Sequence, residues 1–140
     1  MAQNMSRAEA AEFLAGLHVG VLGVADGAAS GPLIIPVWYS YEPGGVVSIS
    51  TGRHTRKARL IGAAGRLSLC VQDERPPYKY VTVEGPAVIA EIELAERLSL
   101  ARRYLGTEGG DEFIAANPAE GNDIAIRLTP EHWLTADFSK

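Results

Sequence analysis

The strongest constraint on this chain is its rhythm. Short stretches that alternate apolar and polar residues follow one another, punctuated by turn signals. Val47 and Ile49 alternate with Ser48 and Ser50, and Leu67, Leu69 and Val71 share one face of Arg66–Gln72. Asp26-Gly27 and Glu42-Pro43-Gly44-Gly45 supply the backbone freedom that tight reversals need. Strands are expected over His18–Ala25, Leu33–Tyr41, Val46–Thr51, Arg66–Gln72, Tyr78–Glu91, Asp123–Leu128 and Trp133–Phe138. Pro36 marks an edge or a bulge, and Gly85-Pro86 a bend.

Helical periodicity is sparser. Ser6 with Glu9 forms a capping-box pattern ahead of a helix over Arg7–Gly16. Thr55–Ala64 looks helical, and Leu94, Leu98, Ala101 and Leu105 are in phase over Leu94–Leu105. The polar stretch Gly106–Asn122 is expected to hold at most one further turn, around Phe113. Six or seven strands joined by short turns predict a mainly β fold, an antiparallel sheet curling into a barrel that removes its edges. The helices are too few for a doubly wound α/β fold.

The 140 residues suit a single domain over 1–140 with a real core. With 46% hydrophobic and 21% charged residues the chain is no disordered segment. A net charge of −4 argues against a general nucleic-acid binder. Cys70 stands alone, so no intrachain disulfide forms. With no signal-peptide pattern between Met1 and Phe13, this predicts a cytoplasmic protein. No apolar run is long enough for a membrane span. Cys70 is expected to pack in the core. His18, His54 and His132 lie far apart and no zinc pattern occurs; nucleophile-elbow, P-loop and dinucleotide fingerprints are absent too.

One cluster carries chemistry. Arg53-His54-Thr55-Arg56-Lys57, with Arg59 behind, gathers cations in an acidic chain, between a strand and a helix. With Thr55 as N-cap, Arg56 and Lys57 fall in the first helical turn, where the dipole disfavours cations. An anion would remove the conflict, since free N–H groups, dipole and two cations make a phosphate site. A solvated basic turn is the competing reading. Aromatics form the second feature: Trp38, Tyr39 and Tyr41, then Tyr78 and Tyr80, then Trp133. Each serves core packing or a planar ligand.

The order of these features resembles the pyridoxamine 5′-phosphate oxidase-like split β-barrel family. Val19–Val24 resembles its first strand and Pro36–Tyr39 its second. Ser50-Thr51 followed by Arg56-Lys57 resembles its phosphate-binding turn, and Tyr80–Gly85 its strand ending in glycine; Arg127–Trp133 has the family look as well. The resemblance implies an antiparallel, Greek-key-like split barrel that pairs as a homodimer, with a cofactor at the subunit interface. Main-chain groups of Pro36, Val37, Trp38, Ser50 and Thr51 would face the ring system, and Arg56 and Lys57, at the Thr55 cap, would hold the phosphate. Tyr78, Lys79, Tyr80 and Trp133 would approach the cofactor, from either subunit.

True vitamin B6 oxidases carry a lysine where Ser40 stands, a glutamine near Tyr80 and a C-terminal Arg-x-His, so their reaction is not expected here. The compact chain resembles the deazaflavin branch, which uses coenzyme F(420). Extra cations at Arg53, Arg59 or Lys79 would suit its acidic tail. FMN is the alternative cofactor. The expected activity is hydride transfer between the deazaflavin and a small conjugated organic substrate. Tyr39, Tyr78, Tyr80 and His54 are candidates for proton delivery. A non-catalytic flavin or haem carrier and a cofactor-free interaction protein are the other readings.

Overall fold

A computed structural model of the chain describes residues 3–27 and 29–140; Met1, Ala2 and Ala28 lie outside them. Three helices are described, α1 (Arg7–Ala15), α2 (Arg56–Ala64) and α3 (Leu94–Ala116). Seven strands accompany them: β1 (Gly20–Val24), β2 (Leu33–Val37), β3 (Val47–Gly52), β4 (Arg66–Asp73), β5 (Lys79–Glu91), β6 (Asp123–Leu128) and β7 (His132–Asp137). All strand pairings are antiparallel, in the order β2-β1-β4-β5-β6-β3, with β7 added to β5.

β5 is the pivot. Its first half pairs with β4 and β7, and after the bend expected at Gly85-Pro86 its second half pairs with β6. Gly85 is required there because a Cβ would lie 1.9 Å from the carbonyl oxygen of Thr129. The strand thereby belongs to both halves of the sheet and curls it into a split barrel. Leu22, Ile49, Leu69, Val81, Val83 and Ile126, drawn from both halves, are completely or almost completely buried inside the curl. Pro36 lies on β2, the edge strand, where a missing N–H costs no ladder bond.

The helix ends follow their local sequence. Ser6 and Glu9 form the reciprocal capping box of α1. The Thr55 hydroxyl accepts from the Ala58 N–H at the start of α2, and Gly65 closes that helix in the left-handed conformation.

Three expectations are corrected. The second strand ends at Val37; beyond it only Ser40 makes a bridge, to Ser48. Cys70 is half-buried on the outer face, opposite Val21 and Thr82, because strand alternation gives the inner face to Leu69 and Val71. The largest correction is α3, which runs to Ala116, far past Leu105. Gly106, at φ 79 and ψ 170, breaks the helical geometry, so the chain folds as two helical halves and the heptad-like phase is lost at the break.

Candidate functional site

A cleft of about 700 Å³ is lined by residues of β2 and β3, the two ends of the strand order, together with α2 and α3. That lies in the range that engulfs a drug-sized ligand. One side is built from Val19 before β1, the β2 end at Pro36, Val37 and Trp38, Ser50 on β3 and Lys57 on α2. The other comes from α3 and the segment after it, with Leu100 and Ala101 before the break, Phe113 and Ile114 after it, and then Asn117 and Pro118. Arg97 and Asp123 complete the lining.

Lys57 is the lining cation that comes from the basic cluster. It stands in the first turn of α2, which carries no acidic residue. Burial pushes its ammonium below the usual lysine range, and no carboxylate among the described residues opposes that shift. Arg56 does not share this environment. Successive helical residues point about 100° apart, and Arg56 reaches outward to the Asp26 carboxylate. Arg53 is engaged as well, with Glu91 at 2.8 Å and the Gly121 carbonyl at 3.3 Å. Thr55 spends its hydroxyl on the α2 cap, and Thr51 is buried opposite Ile124 in the ladder. Of the expected cations, Lys57 alone lines this cleft, and Ser50 of the expected turn lines it too.

The apolar lining includes two aromatic rings, Trp38 and Phe113. Trp38 stacks on Tyr104 of α3, with centroids 4.9 Å apart and planes within 7°, and meets Phe113 at 5.6 Å. Tyr104 locks this arrangement: its hydroxyl donates to the His18 carbonyl at 2.6 Å and accepts from the Tyr39 N–H at 3.1 Å.

The remaining expected residues lie elsewhere in the protomer. Tyr78 is exposed and edge-on to Phe138. Lys79 pairs in register with Asp73 and Asp137, and Tyr80 with Gln72 and Ala136. Trp133 turns inward onto the core, with Tyr41 at its edge and the Arg7 guanidinium 4.6 Å above its ring. None of these four lines the cleft. Nor do the suggested proton donors. Tyr39 is buried with its hydroxyl donating to the Leu14 carbonyl at 2.6 Å, and burial pushes its pKa far up. His54 is exposed outside the lining.

Sequence reasoning missed the α3 side altogether: Arg97, Leu100, Ala101, Phe113, Ile114, Asn117 and Pro118 carry no motif. The signal available was the apolar pair Phe113-Ile114 in an otherwise polar stretch.

One row of mostly apolar residues crosses the outer face of the sheet. Pro36, Val21, Cys70, Thr82 and Leu134 stand in one row across five strands, each opposite the next. Ile34 and Leu134 on this face are each more than half exposed. Among the described residues no group of three or more histidine, cysteine, aspartate or glutamate side chains could hold a metal, and no helix is long and apolar enough to cross a membrane.

The family model for pyridoxamine 5′-phosphate oxidase matches residues 6–137. A conserved hypothetical protein from Mycobacterium tuberculosis shares the fold at TM-score 0.75 and 22% identity, over 96% of this chain and 86% of that one. An F(420) reductase aligns at TM-score 0.73 and 23% identity, over 88% of this chain and 94% of its own. A FAD-binding protein from Mesorhizobium loti aligns at 0.70 and 18%, over 98% and 96%. No curated protein matches the chain.

Proposed function

Because the chain belongs to the pyridoxamine 5′-phosphate oxidase family, whose members are generally flavin-dependent oxidoreductases, we propose that it is a coenzyme F(420)-dependent oxidoreductase acting on a small conjugated organic substrate. The observation that carries this reading is Lys57, a half-buried ammonium with no ion-pair partner among the described residues, in a cleft that is also lined by Trp38 and Phe113. That arrangement fits a planar ring system bearing a phosphate. The ammonium and the α2 N-terminus hold the anion. Trp38 and the apolar residues of α3 give the ring a surface from which water is excluded. The cofactor supplies the hydride chemistry; the protein supplies position and electrostatics.

The outer-face row suggests that the working unit is a homodimer, since an exposed apolar band of this extent is what a second copy would cover. In such a dimer Tyr78, Lys79, Tyr80 and Trp133 are assigned to neither cleft by one protomer alone.

FMN is the second reading, and a specific observation favours it. Arg53 and Arg56 are already paired with Glu91 and Asp26, which leaves fewer cations for an acidic tail. A relative described as an F(420) reductase and one described as FAD-binding are consistent with either choice.

The test is a paired titration of cofactor-free protein with F(420) and with FMN, read by fluorescence, followed by single-turnover oxidation of the reduced complex with a panel of conjugated acceptors. Micromolar F(420) binding with weak FMN binding, and hydride loss to an acceptor, is the expected result. The reverse preference makes this an FMN enzyme. Binding of neither sinks the proposal.

A further inference from the structure

Arg97 is the most deeply buried cation described in the chain, 8% exposed. It is not part of the expected phosphate group, yet it lines the same cleft. Its Nε donates to an Asp123 carboxylate oxygen at 2.7 Å, and an Nη donates to the Asn117 carbonyl at 2.8 Å. A buried guanidinium is tolerated only where its donors are satisfied, so these ties are the reason an arginine can stand there.

The partners are what make it informative. Asn117 is the residue that closes α3, on the far side of the Gly106 break. Arg97, before the break, therefore grips the end of the half beyond it. Gly110 packs that second half against the first, close enough that a Cβ would meet the Arg102 backbone. Asp123 opens β6 opposite Gly52, at the end of β3 that leads to Lys57. Between them, the Gly121 and Asn122 carbonyls accept from the Arg53 side chain and N–H. One segment, 117–123, thus joins the wall that carries Phe113 to the turn that precedes Lys57.

We propose that Arg97 is a positioning residue that latches the second half of α3 as the far wall of the cleft. It fixes the span between the Lys57 ammonium and the Phe113 ring, and so selects planar anionic ligands by reach. The ligand part rests on the phosphate reading of Lys57; the latch does not.

The experiment is hydrogen exchange on the whole cofactor-free chain, comparing wild type with Arg97→Met and Arg97→Lys, together with FMN and F(420) titrations of each. Loss of the charged ties should weaken protection in 107–122 and cofactor affinity by about tenfold or more. Amides of β4 and β5 should be unchanged, and the lysine variant should recover part of both losses. Uniform loss of protection across the sheet, or no loss anywhere, overturns the latch. Should Arg97→Met fail to fold, Arg97→Gln, which cannot keep both ties, takes its place: it should loosen 107–122 alone, and an unaltered exchange pattern overturns the latch. If wild type binds neither cofactor, the proposed function fails, and the exchange pattern still decides the latch by itself.

Discussion

The two sides of the cleft are made in different ways. The Ser50–Lys57 side is assembled by neighbours in sequence: an alternating strand, a threonine that caps, a helix that begins at once. The α3 side beyond Gly106 is held by groups far away in the chain. Arg97 reaches 20 residues to Asn117 and 26 to Asp123. A locally built wall keeps its shape when one contact goes, because each cap and ladder bond is supported by the next. A remotely tied wall depends on a few side chains. This puts ligand affinity on the first side and cleft shape on the second.

The largest expected effect separates the two roles. Lys57→Ala should cost about 1.5–3 kcal/mol of affinity for a phosphate-bearing ligand, the range for hydrogen bonds to charged groups. It should leave the thermal transition of the ligand-free protein no lower, because a desolvated, unpaired cation is being removed. Calorimetric titration with FMN against riboflavin, which lacks the phosphate, checks this. A loss shared equally by both ligands would remove Lys57 from the phosphate contact. The pH dependence has a definite sign. Burial holds the folded pKa of Lys57 below its ordinary 10.5. The cost of the buried cation is therefore present at neutral pH and relieved as pH climbs from the folded value toward 10.5. Anion affinity runs the other way, full at neutral pH and falling over that same alkaline window.

The far wall should respond to volume as well as to the charged ties of Arg97. At Gly110 a Cβ would sit 2.6 Å from the Arg102 backbone nitrogen and 2.7 Å from its Cα. Helix propensity alone favours Ala over Gly by about 1 kcal/mol. The backbone of Arg102 cannot swing aside, so overpacking of about 1–3 kcal/mol should win. Gly110→Ala is expected to displace the second half of α3, lowering affinity for FMN and riboflavin alike. Equal affinity of variant and wild type for both ligands would mean that this half does not shape the site.

The same contrast explains what could be read from the sequence. The strands, the Ser6 and Thr55 caps and the change of partners at Gly85-Pro86 are local signals, and apart from the second strand, which stops at Val37, the structure has them where they were expected. The extent of α3 was not readable, because Gly106, Gly109 and Gly110 interrupt the periodicity and their packing becomes apparent only in three dimensions. Cys70 shows the limit of composition: strand alternation puts it on the outer face, because Leu69 and Val71 hold the inner one. At the site, the sequence grouped Arg56 with Lys57 by adjacency. Adjacent positions on a helix diverge, and only the placement of Asp26 decides where Arg56 goes.

That divergence yields the smallest effect and the sharpest check. Arg56 is more than half exposed and pairs with Asp26 at the protein surface. An exposed pair contributes only about 0–1 kcal/mol to stability, so Arg56→Ala should scarcely shift the thermal transition. If Arg56 serves only this pair, the variant should keep wild-type affinity for FMN, in contrast to Lys57→Ala. A loss as large as that of Lys57→Ala would mean that ligand binding draws Arg56 away from Asp26. In that case Asp26→Asn, which weakens the competing pair, should tighten FMN binding. The two variants together distinguish a single-cation phosphate site from one that recruits its second cation on binding.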